Sequence, residues 1–169
     1  MILDSFRVLG IDPGYERLGI AVVEKQNNKE TVVYSECFHT PPKMPFHERL
    51  FLLGERVRVV IDEYSPEALA IETLMFNTNQ KTAIHVAEAR GVVLYEGARK
   101  KLEVYEFTPL QIKIAVTGHG RSDKKQMTEM VKKLVKIEKK DAKDDEYDAI
   151  ACALTCLASY RVLRPKIGL

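Results

Sequence analysis

The sequence predicts an α/β fold in which helices cover both faces of a mixed five-stranded sheet. Three strand-like runs follow one another in the first 40 residues, helical spacing of apolar residues begins near residue 46, and shorter apolar runs then alternate with helical segments. Strands of a meander pair antiparallel, whereas strands joined by helices pair parallel, so the sheet must be mixed. The 169 residues suit a single domain, 1–169, with one buried core.

The first three strands are predicted from runs of apolar and β-branched residues. Arg7–Ile11 indicates a buried strand that stops at the turn sequence Asp12-Pro13-Gly14. Leu18–Val23 and Thr31–Phe38 are joined by polar residues 26–29, which is typical of a hairpin connection. Together the three runs predict an antiparallel meander.

The period of the apolar residues changes after this meander. From Phe46 to Tyr64 they recur at three- and four-residue steps, which predicts an amphipathic helix. Ser65-Pro66 ends that helix, and Ala68–Ile71 follows as a short strand that leads into Glu72.

The second half of the chain predicts one more strand and four more helices. The expected elements are a helix over Thr78–Ala98, a strand over Val104–Phe107, a helix from Pro109 to Thr117, a helix capped by Ser122 that runs through Val135, and a last helix capped by Asp144 that runs to about Leu163. Small residues such as Gly91 in the first of these helices would let another helix approach closely.

Four acidic residues stand where predicted elements begin or end. Asp12 ends the first strand and Glu72 ends the strand after the first helix, so parallel pairing would bring both to one rim of the sheet, where ligands of α/β proteins bind. Asp145 and Asp148 are three residues apart at the start of the last helix and share a face. Because gathered carboxylates repel one another, the pattern predicts a site for divalent cations such as Mg²⁺. A pair of ions about 4 Å apart can activate water and stabilise the leaving oxygen in phosphodiester cleavage.

Each acid also has an ordinary structural interpretation. An Asp before Pro-Gly is common in turns, Glu72 can be a plain strand-end residue, and Asp145 and Asp148 can stabilise a helix N-terminus through its dipole. Asp141 and Asp144 compete as site residues, although the place of Asp144 before the last helix favours a capping role. The four acids taken together, in this order and at these element ends, favour the cation site.

Charge and cysteine content restrict the class of protein. The net charge is only +2, but Lys and Arg are concentrated in residues 99–140, which favours either a polyanionic partner such as nucleic acid or solvated helix faces. The cysteines, Cys37, Cys152 and Cys156, lack zinc-type spacing, and the last two fit packing residues of a reduced protein. Because no secretion signal or membrane-spanning stretch is recognisable, we expect a soluble, cytoplasmic protein.

Six segments together resemble the RuvC-type Holliday junction resolvases, which belong to the RNase H-like superfamily. They are Val8-Leu-Gly-Ile-Asp-Pro-Gly14, Ala70-Ile-Glu72, Ala89-Arg-Gly91, Thr108-Pro-Leu-Gln-Ile-Lys113, Gly118-His-Gly-Arg-Ser-Asp-Lys-Lys-Gln126 and Asp145-Glu-Tyr-Asp-Ala-Ile-Ala151. The resemblance extends over nearly the whole chain in the right order. It implies an RNase H-like fold and an endodeoxyribonuclease that resolves four-way DNA junctions by paired symmetric nicks in recombination and repair.

The resemblance also implies cofactors and partners. It implies two Mg²⁺ ions per active site, for which Mn²⁺ can substitute, and products with 5′ phosphate and 3′ hydroxyl ends. It further implies a homodimer and a branch-migration complex of the RuvA and RuvB type as partner. The small-residue helix around Ala87–Val93 is a candidate for the dimer surface, and burial in the core of one subunit is the alternative.

Site residues carry over by their position in the matching segments. The metal ligands implied are Asp12, Glu72, Asp145 and Asp148, with Asp12 bridging both ions; Lys113 and Lys124 match lysines that act on the cleaved phosphate, and Arg121 and Lys125 belong to the same DNA-binding stretch. The family places an aromatic residue that stacks on a junction base at Met75-Phe76. Met75 occupies the usual aromatic position here, so Phe76 must substitute or the stacking is weaker.

Three alternatives belong to other groups of proteins. An actin-like or sugar-kinase ATPase also opens with a strand, Asp and Gly, but it needs two such domains and therefore a longer chain. A ribosomal-RNA processing nuclease of the same superfamily is disfavoured by the chain length, the Arg121–Lys125 segment and the Asp145/Asp148 pair. A non-catalytic junction-binding protein would need phosphate contacts but not four convergent acids.

Overall fold

The first three strands form an antiparallel meander. In the computed structural model, which describes residues 5–74, 80–137, 139 and 141–163 (backbone alone at 80–81 and 161–163), β1 spans Ser5–Asp12, β2 spans Arg17–Gln26 and β3 spans Lys29–His39. β2 pairs with both β1 and β3 in antiparallel register. Asn27 and Asn28 have φ angles of 50° and 63° at the β2–β3 connection, which is the backbone of a tight hairpin turn.

Two parallel strands extend the sheet on the other side of β1. β4 spans Ala68–Glu72 and pairs with β1, and β5 spans Glu103–Phe107 and pairs with β4. The strand order is β3-β2-β1-β4-β5. The mixed five-stranded sheet predicted from the sequence is thereby confirmed.

In the described part of the chain, five helices cover the sheet. They are α1 (Phe46–Tyr64), α2 (Gln80–Arg99), α3 (Pro109–Thr117), α4 (Lys124–Leu134) and α5 (Asp144–Leu163). The observed bounds of α1 and α3 are those expected from the sequence, whereas every strand extends beyond its predicted run. Among the described residues, no helix has the length and apolar character needed to cross a membrane.

The sheet separates two buried clusters of apolar residues. On one side, Leu9 and Ile11 of β1 pack in a cluster with α1 and α2. On the other side, Val8 packs in a cluster with α3, α4 and α5. Because successive strand residues alternate between faces, Asp12 and Glu72 project toward the side that carries α5.

Helix α5 lies very close to β1 and β2 because two glycines leave room for it. A Cβ on Gly10 would lie 2.1 Å from the carbonyl oxygen of Ala149, and a Cβ on Gly19 would lie 2.1 Å from the carbonyl oxygen of Asp145. Neither distance is possible for a real side chain, so both positions require glycine as long as α5 keeps its place. The close approach brings the first turns of α5 to the end of β1.

Two predicted helix caps are wrong by one residue. Asp123 rather than Ser122 is the N-cap of α4, since its side chain accepts a 2.8 Å hydrogen bond from the amide of Gln126. A carboxylate gains more than a hydroxyl from the positive end of a helix. Asp144 does not cap α5 but is its first residue, and the Glu146 side chain accepts from the amide of Lys143, the residue before the helix.

The expected close helix approach at Gly91 does not occur among the described residues. None of their atoms lies within 4 Å of a Cβ built on Gly91, and α1 instead approaches α2 at Gly54, where a Cβ would lie 3.0 Å from Val92. Gly91 is exposed on the outer side of α2.

Gly10→Ala should lower the free energy of unfolding by about 2 kcal/mol or more, because the added methyl group forces α5 away from the sheet. The control is Gly120→Ala, whose Cβ would meet only the tip of the half-exposed Leu110 side chain. That tip can turn away, so the control should cost less than about 1 kcal/mol. Urea unfolding measures both variants, and equal losses would contradict the close-packing account.

Candidate active site

Two acids lie at the carboxyl ends of adjacent parallel strands. Ile11 of β1 pairs with Ile71 of β4, so Asp12 and Glu72 follow at the same level of the sheet. Both side chains are partly buried. This rim is where α/β sheets bind their ligands.

Helix α5 adds two more acids above the same rim. The backbone of Asp145 rests on Gly19, which is the β2 partner of Asp12. The Asp145 side chain is 15% exposed and that of Asp148 is 37% exposed. The charges of Asp148, Glu72 and Asp145 all act on Asp12, so the fold gathers the four predicted acids around one point.

Burial and mutual repulsion raise the pKa values of three of these acids. The pKa of Asp12 rises to about 8, first because the carboxyl is buried and then because Asp148, Glu72 and Asp145 are close. The pKa of Glu72 is raised by burial and by Asp148, and that of Asp148 by burial and by other acids. Asp12 therefore holds a proton at neutral pH as long as no cation joins the cluster.

The two acids on α5 also contact cationic and thiol groups that are not part of the acid cluster. Oδ2 of Asp145 accepts a hydrogen bond from the Cys37 thiol at 3.3 Å and lies 3.5 Å from Nη1 of Arg17. Oδ2 of Asp148 lies 3.4 Å from Nζ of Lys124, which is also 3.5 Å from Asp144. Burial would lower the pKa of Lys124, but Asp148 and Asp144 more than offset this, so the pKa is raised.

The four acids fit a hard divalent cation by their chemistry. All donors are carboxylate oxygens, which such ions prefer, and a cation would relieve the repulsion that keeps Asp12 protonated. As the side chains stand, no three His, Cys, Asp or Glu residues in the described ranges are grouped closely enough to hold an ion. Oδ2 of Asp145 and Oδ2 of Asp148 lie instead beside the positive side chains of Arg17 and Lys124.

The predicted basic residues fall into two groups. Lys113 is partly buried on α3, and its charge opposes the rise in the pKa of Glu72, so it borders the cluster together with Lys124. Arg121 and Lys125 are exposed near the start of α4. Other basic residues in 99–140 form ion pairs within the protein: Arg99 pairs with Glu96, Lys100 with Asp62, and Lys139 with Glu146.

The competing acid Asp144 lies outside the cluster. Its side chain is 68% exposed, whereas the side chains of Asp145 and Asp148 are 15% and 37% exposed. Asp141 is exposed as well. The geometry thus favours Asp145 over both competitors. Met75 and Phe76, the predicted stacking residues, lie outside the described residues.

Three residues beside the cluster had no role in the sequence interpretation. Glu146 is buried, and its carboxylate accepts hydrogen bonds from Ser35 at 2.7 Å and Lys139 at 2.9 Å, which fixes the start of α5 against β3. Arg17 and Cys37 contact Asp145 from β2 and β3. No spacing rule connects a strand residue to a helix more than 100 positions later, so only the fold reveals these contacts.

Several related proteins resemble the chain along nearly all of its length. The sequence profile of the family described as crossover junction endodeoxyribonuclease RuvC matches residues 8–156. The RuvC of Halothermothrix orenii is 42% identical over 157 residues, which cover 93% of this chain and 95% of that protein. The RuvC of Thermosipho melanesiensis is 45% identical over 152 residues, covering 90% and 96%.

A solved structure agrees with the fold. Thermus thermophilus RuvC in complex with a Holliday junction substrate superposes with a TM-score of 0.86 at 33% identity, covering 93% of this chain and 96% of that one. The mixed five-stranded sheet with helices on both faces defines an α/β fold that this chain shares with the solved structure. Within that class, the chain belongs to the RuvC family of crossover junction endodeoxyribonucleases.

Asp12→Asn should raise the free energy of unfolding of the metal-free protein at pH 7.5 by roughly 2–4 kcal/mol. The unfolded chain loses the Asp12 proton near its ordinary pKa of 3.8, whereas the folded protein keeps it up to about 8. Wild-type stability therefore declines as the pH rises between these values, and asparagine removes the Asp12 part of that decline. Urea unfolding in EDTA at pH 4 and 7.5 measures the difference, which should nearly vanish at pH 4.

Asp62→Asn is the matched control for this experiment. Its carboxyl pKa is lowered by a hydrogen bond from Lys100, so the substitution should give no gain in stability at pH 7.5. A gain at Asp12 that is equally large at both pH values would contradict the raised pKa.

Proposed function

We propose that the protein is a structure-selective endodeoxyribonuclease that resolves four-way DNA junctions by paired symmetric nicks, in recombination and repair. The observation that carries this is the cluster of Asp12, Glu72, Asp145 and Asp148 at one rim of the sheet, in a chain of the RuvC family. The relative of known structure binds a Holliday junction, and the basic residues Lys113 and Lys124 beside the cluster fit a DNA phosphate.

The four acids would hold two Mg²⁺ ions, and Mn²⁺ could take their place. When bound, such ions supply an activated water and stabilise the leaving oxygen of a phosphodiester. The chain's own groups have separate tasks. Lys124 leaves Asp148 and donates to the phosphate that is cut, while Lys113 contributes positive charge on the Glu72 side.

Further contacts would set the DNA in place. Arg121 and Lys125 are exposed beside Lys124 and fit the backbone of the bound strand. We assign base stacking to Phe76, with Met75 beside it, on the sequence pattern alone. We also propose that residues 1–169 act as a single domain, and that the protein works in the cytoplasm, where Cys152 and Cys156 stay reduced.

Asp12→Asn tests the metal chemistry apart from DNA binding. With Mg²⁺, wild type should nick a labelled four-way junction at symmetric positions and leave a matched duplex and single-stranded RNA intact. Asp12→Asn should bind the junction but nick it at least about 1000-fold more slowly, because a neutral amide is a poor metal ligand. Asp144→Asn is the control and should nick within a few-fold of wild type. Cleavage of RNA alone, or normal nicking by Asp12→Asn, would contradict the proposal.

A dimer is needed for paired nicks, and the outer side of α2 offers a surface for it. Ile84 and Tyr95 are 55% and 65% exposed, and Gly91 lies on the same helical stripe with open space around it. Ala89 and Val93 of the same helix are buried in the core of one subunit, so only the remaining residues of the expected stretch Ala87–Val93 could contact a second subunit. We propose that two α2 helices pack along this stripe. A branch-migration complex of the RuvA and RuvB type would bind the same junction.

Tyr95→Glu should shift the protein from dimer to monomer, since it places a charge in the proposed apolar interface. Light scattering coupled to size exclusion measures the mass, and circular dichroism checks the fold. Leu134→Glu is the control, because Leu134 is also exposed but lies on α4. If both variants keep the wild-type mass, α2 is not the dimer surface.

A further inference from the structure

A cleft opens beside the candidate active site, between the edge of the sheet and the start of α5. It is lined by Arg17, Cys37, His39 and the segment Ala142–Asp145. The two strand residues Arg17 and His39 are direct partners across β2 and β3, so they form one wall together. Lys143, immediately before α5, stands on the other wall.

The cleft continues the rim on which the four acids stand. Asp12 pairs with Gly19, and Gly19 pairs with Cys37, so a line across β1, β2 and β3 leads from the acids into the cleft. Two strand spacings make this about 10 Å. Lys113 borders the acids at the opposite end, on the β4 side. Positive side chains thus flank the acids on both sides of the sheet rim.

The donors in the cleft are available to an anion. The Arg17 side chain is 60% exposed and uses one nitrogen for Asp145, which leaves other N–H groups of its guanidinium to donate. His39 is exposed, and both of its ring nitrogens contact Cys37. Nδ1 lies 2.9 Å from the carbonyl oxygen and Nε2 lies 3.9 Å from the sulfur, so the weak sulfur contact at Nε2 is the one that a ligand would replace. The Lys143 side chain is exposed, and its ammonium group has no carboxylate partner within the described residues.

The two acids in the lining already have cationic partners. Asp145 lies 3.5 Å from Arg17, and Asp144 lies 3.5 Å from Lys124. Each of these two negative charges therefore has a positive neighbour, so the wall that the acids form does not repel an anion strongly. A second anion can approach from the solvent side.

We propose that this cleft binds a backbone phosphate of the DNA strand that is cut, a short distance from the scissile phosphate, through Arg17, Lys143 and His39. The inference rests on the proposed nuclease function and adds a second phosphate position to it. A span of about 10 Å, or two strand spacings, places this second phosphate within about three nucleotides of the scissile phosphate. One phosphate held at the acids and a second one held in the cleft would fix the direction in which the strand crosses the rim.

The test compares cleft variants with a charge-matched control on the same hairpin. Arg17→Ala and Lys143→Ala should each weaken junction binding several-fold and reduce the slope of log affinity against log salt by about 1. Lys29→Ala removes one positive charge at the opposite end of β2–β3, where Lys29 pairs with Gln26, and should leave the slope unchanged. Binding is measured without metal as well as with it, because Arg17 also contacts Asp145.

Neutral phosphate analogues identify the phosphate itself. A single methylphosphonate is placed at each of the three positions on either side of the cut. At one position it should weaken wild-type binding but have little further effect on Arg17→Ala or Lys143→Ala, because the contact is already lost. Arg17→Lys should restore most of the binding.

The outcomes separate this inference from the nuclease proposal. If wild type does not nick junctions, the proposed function fails. If wild type nicks junctions but the cleft variants bind like Lys29→Ala, the cleft proposal alone is overturned. It is likewise overturned if Arg17→Ala slows nicking without weakening binding in either condition, since Arg17 would then act only through Asp145.

Discussion

The site depends on the close contact between helix α5 and strands β1 and β2. The helix backbone lies directly on Gly10 and Gly19. Its carbonyl oxygens are so close to these two residues that a Cβ on either of them would clash. A helix held at the ordinary distance from a sheet would lift Asp145 and Asp148 away from Asp12 by the thickness of a side-chain layer. Two missing methyl groups therefore decide whether carboxylates from distant parts of the chain can act on one another.

This contact has an electrostatic cost that the surroundings offset only in part. Burial, and then the charges of three neighbouring acids, raise the pKa of Asp12 to about 8, and the pKa values of Glu72 and Asp148 also rise. Arg17 and Lys124 partly neutralise the two acids on α5. The residual repulsion is typical of a site built to receive cations, because a purely structural network would place one positive partner at each carboxylate.

In the proposed mechanism, Arg17 and Lys124 would link the chemistry to DNA. Lys124 and Arg17 pair with the α5 acids while no divalent ion is present, and both are exposed enough to turn toward a phosphate. An ion that takes over the carboxylates would release these side chains for the backbone of the bound strand. Binding of the ion and binding of DNA would then favour each other, because each removes a competitor of the other.

The sequence by itself determined the order of elements and the candidate acids. The three strand runs, the helices α1 and α3, and the acids at element ends were all legible, because periodicity and strand-end position are local properties. Local patterns could not decide between Ser122 and Asp123 as a cap, nor could they reveal that Cys37 and Arg17 contact Asp145. The ligand roles of the four acids stay a prediction, although the fold places them together. Only the tertiary structure decided that Asp145 rather than Asp144 joins Asp12, because that choice depends on how α5 packs against glycines more than 120 residues earlier in the chain.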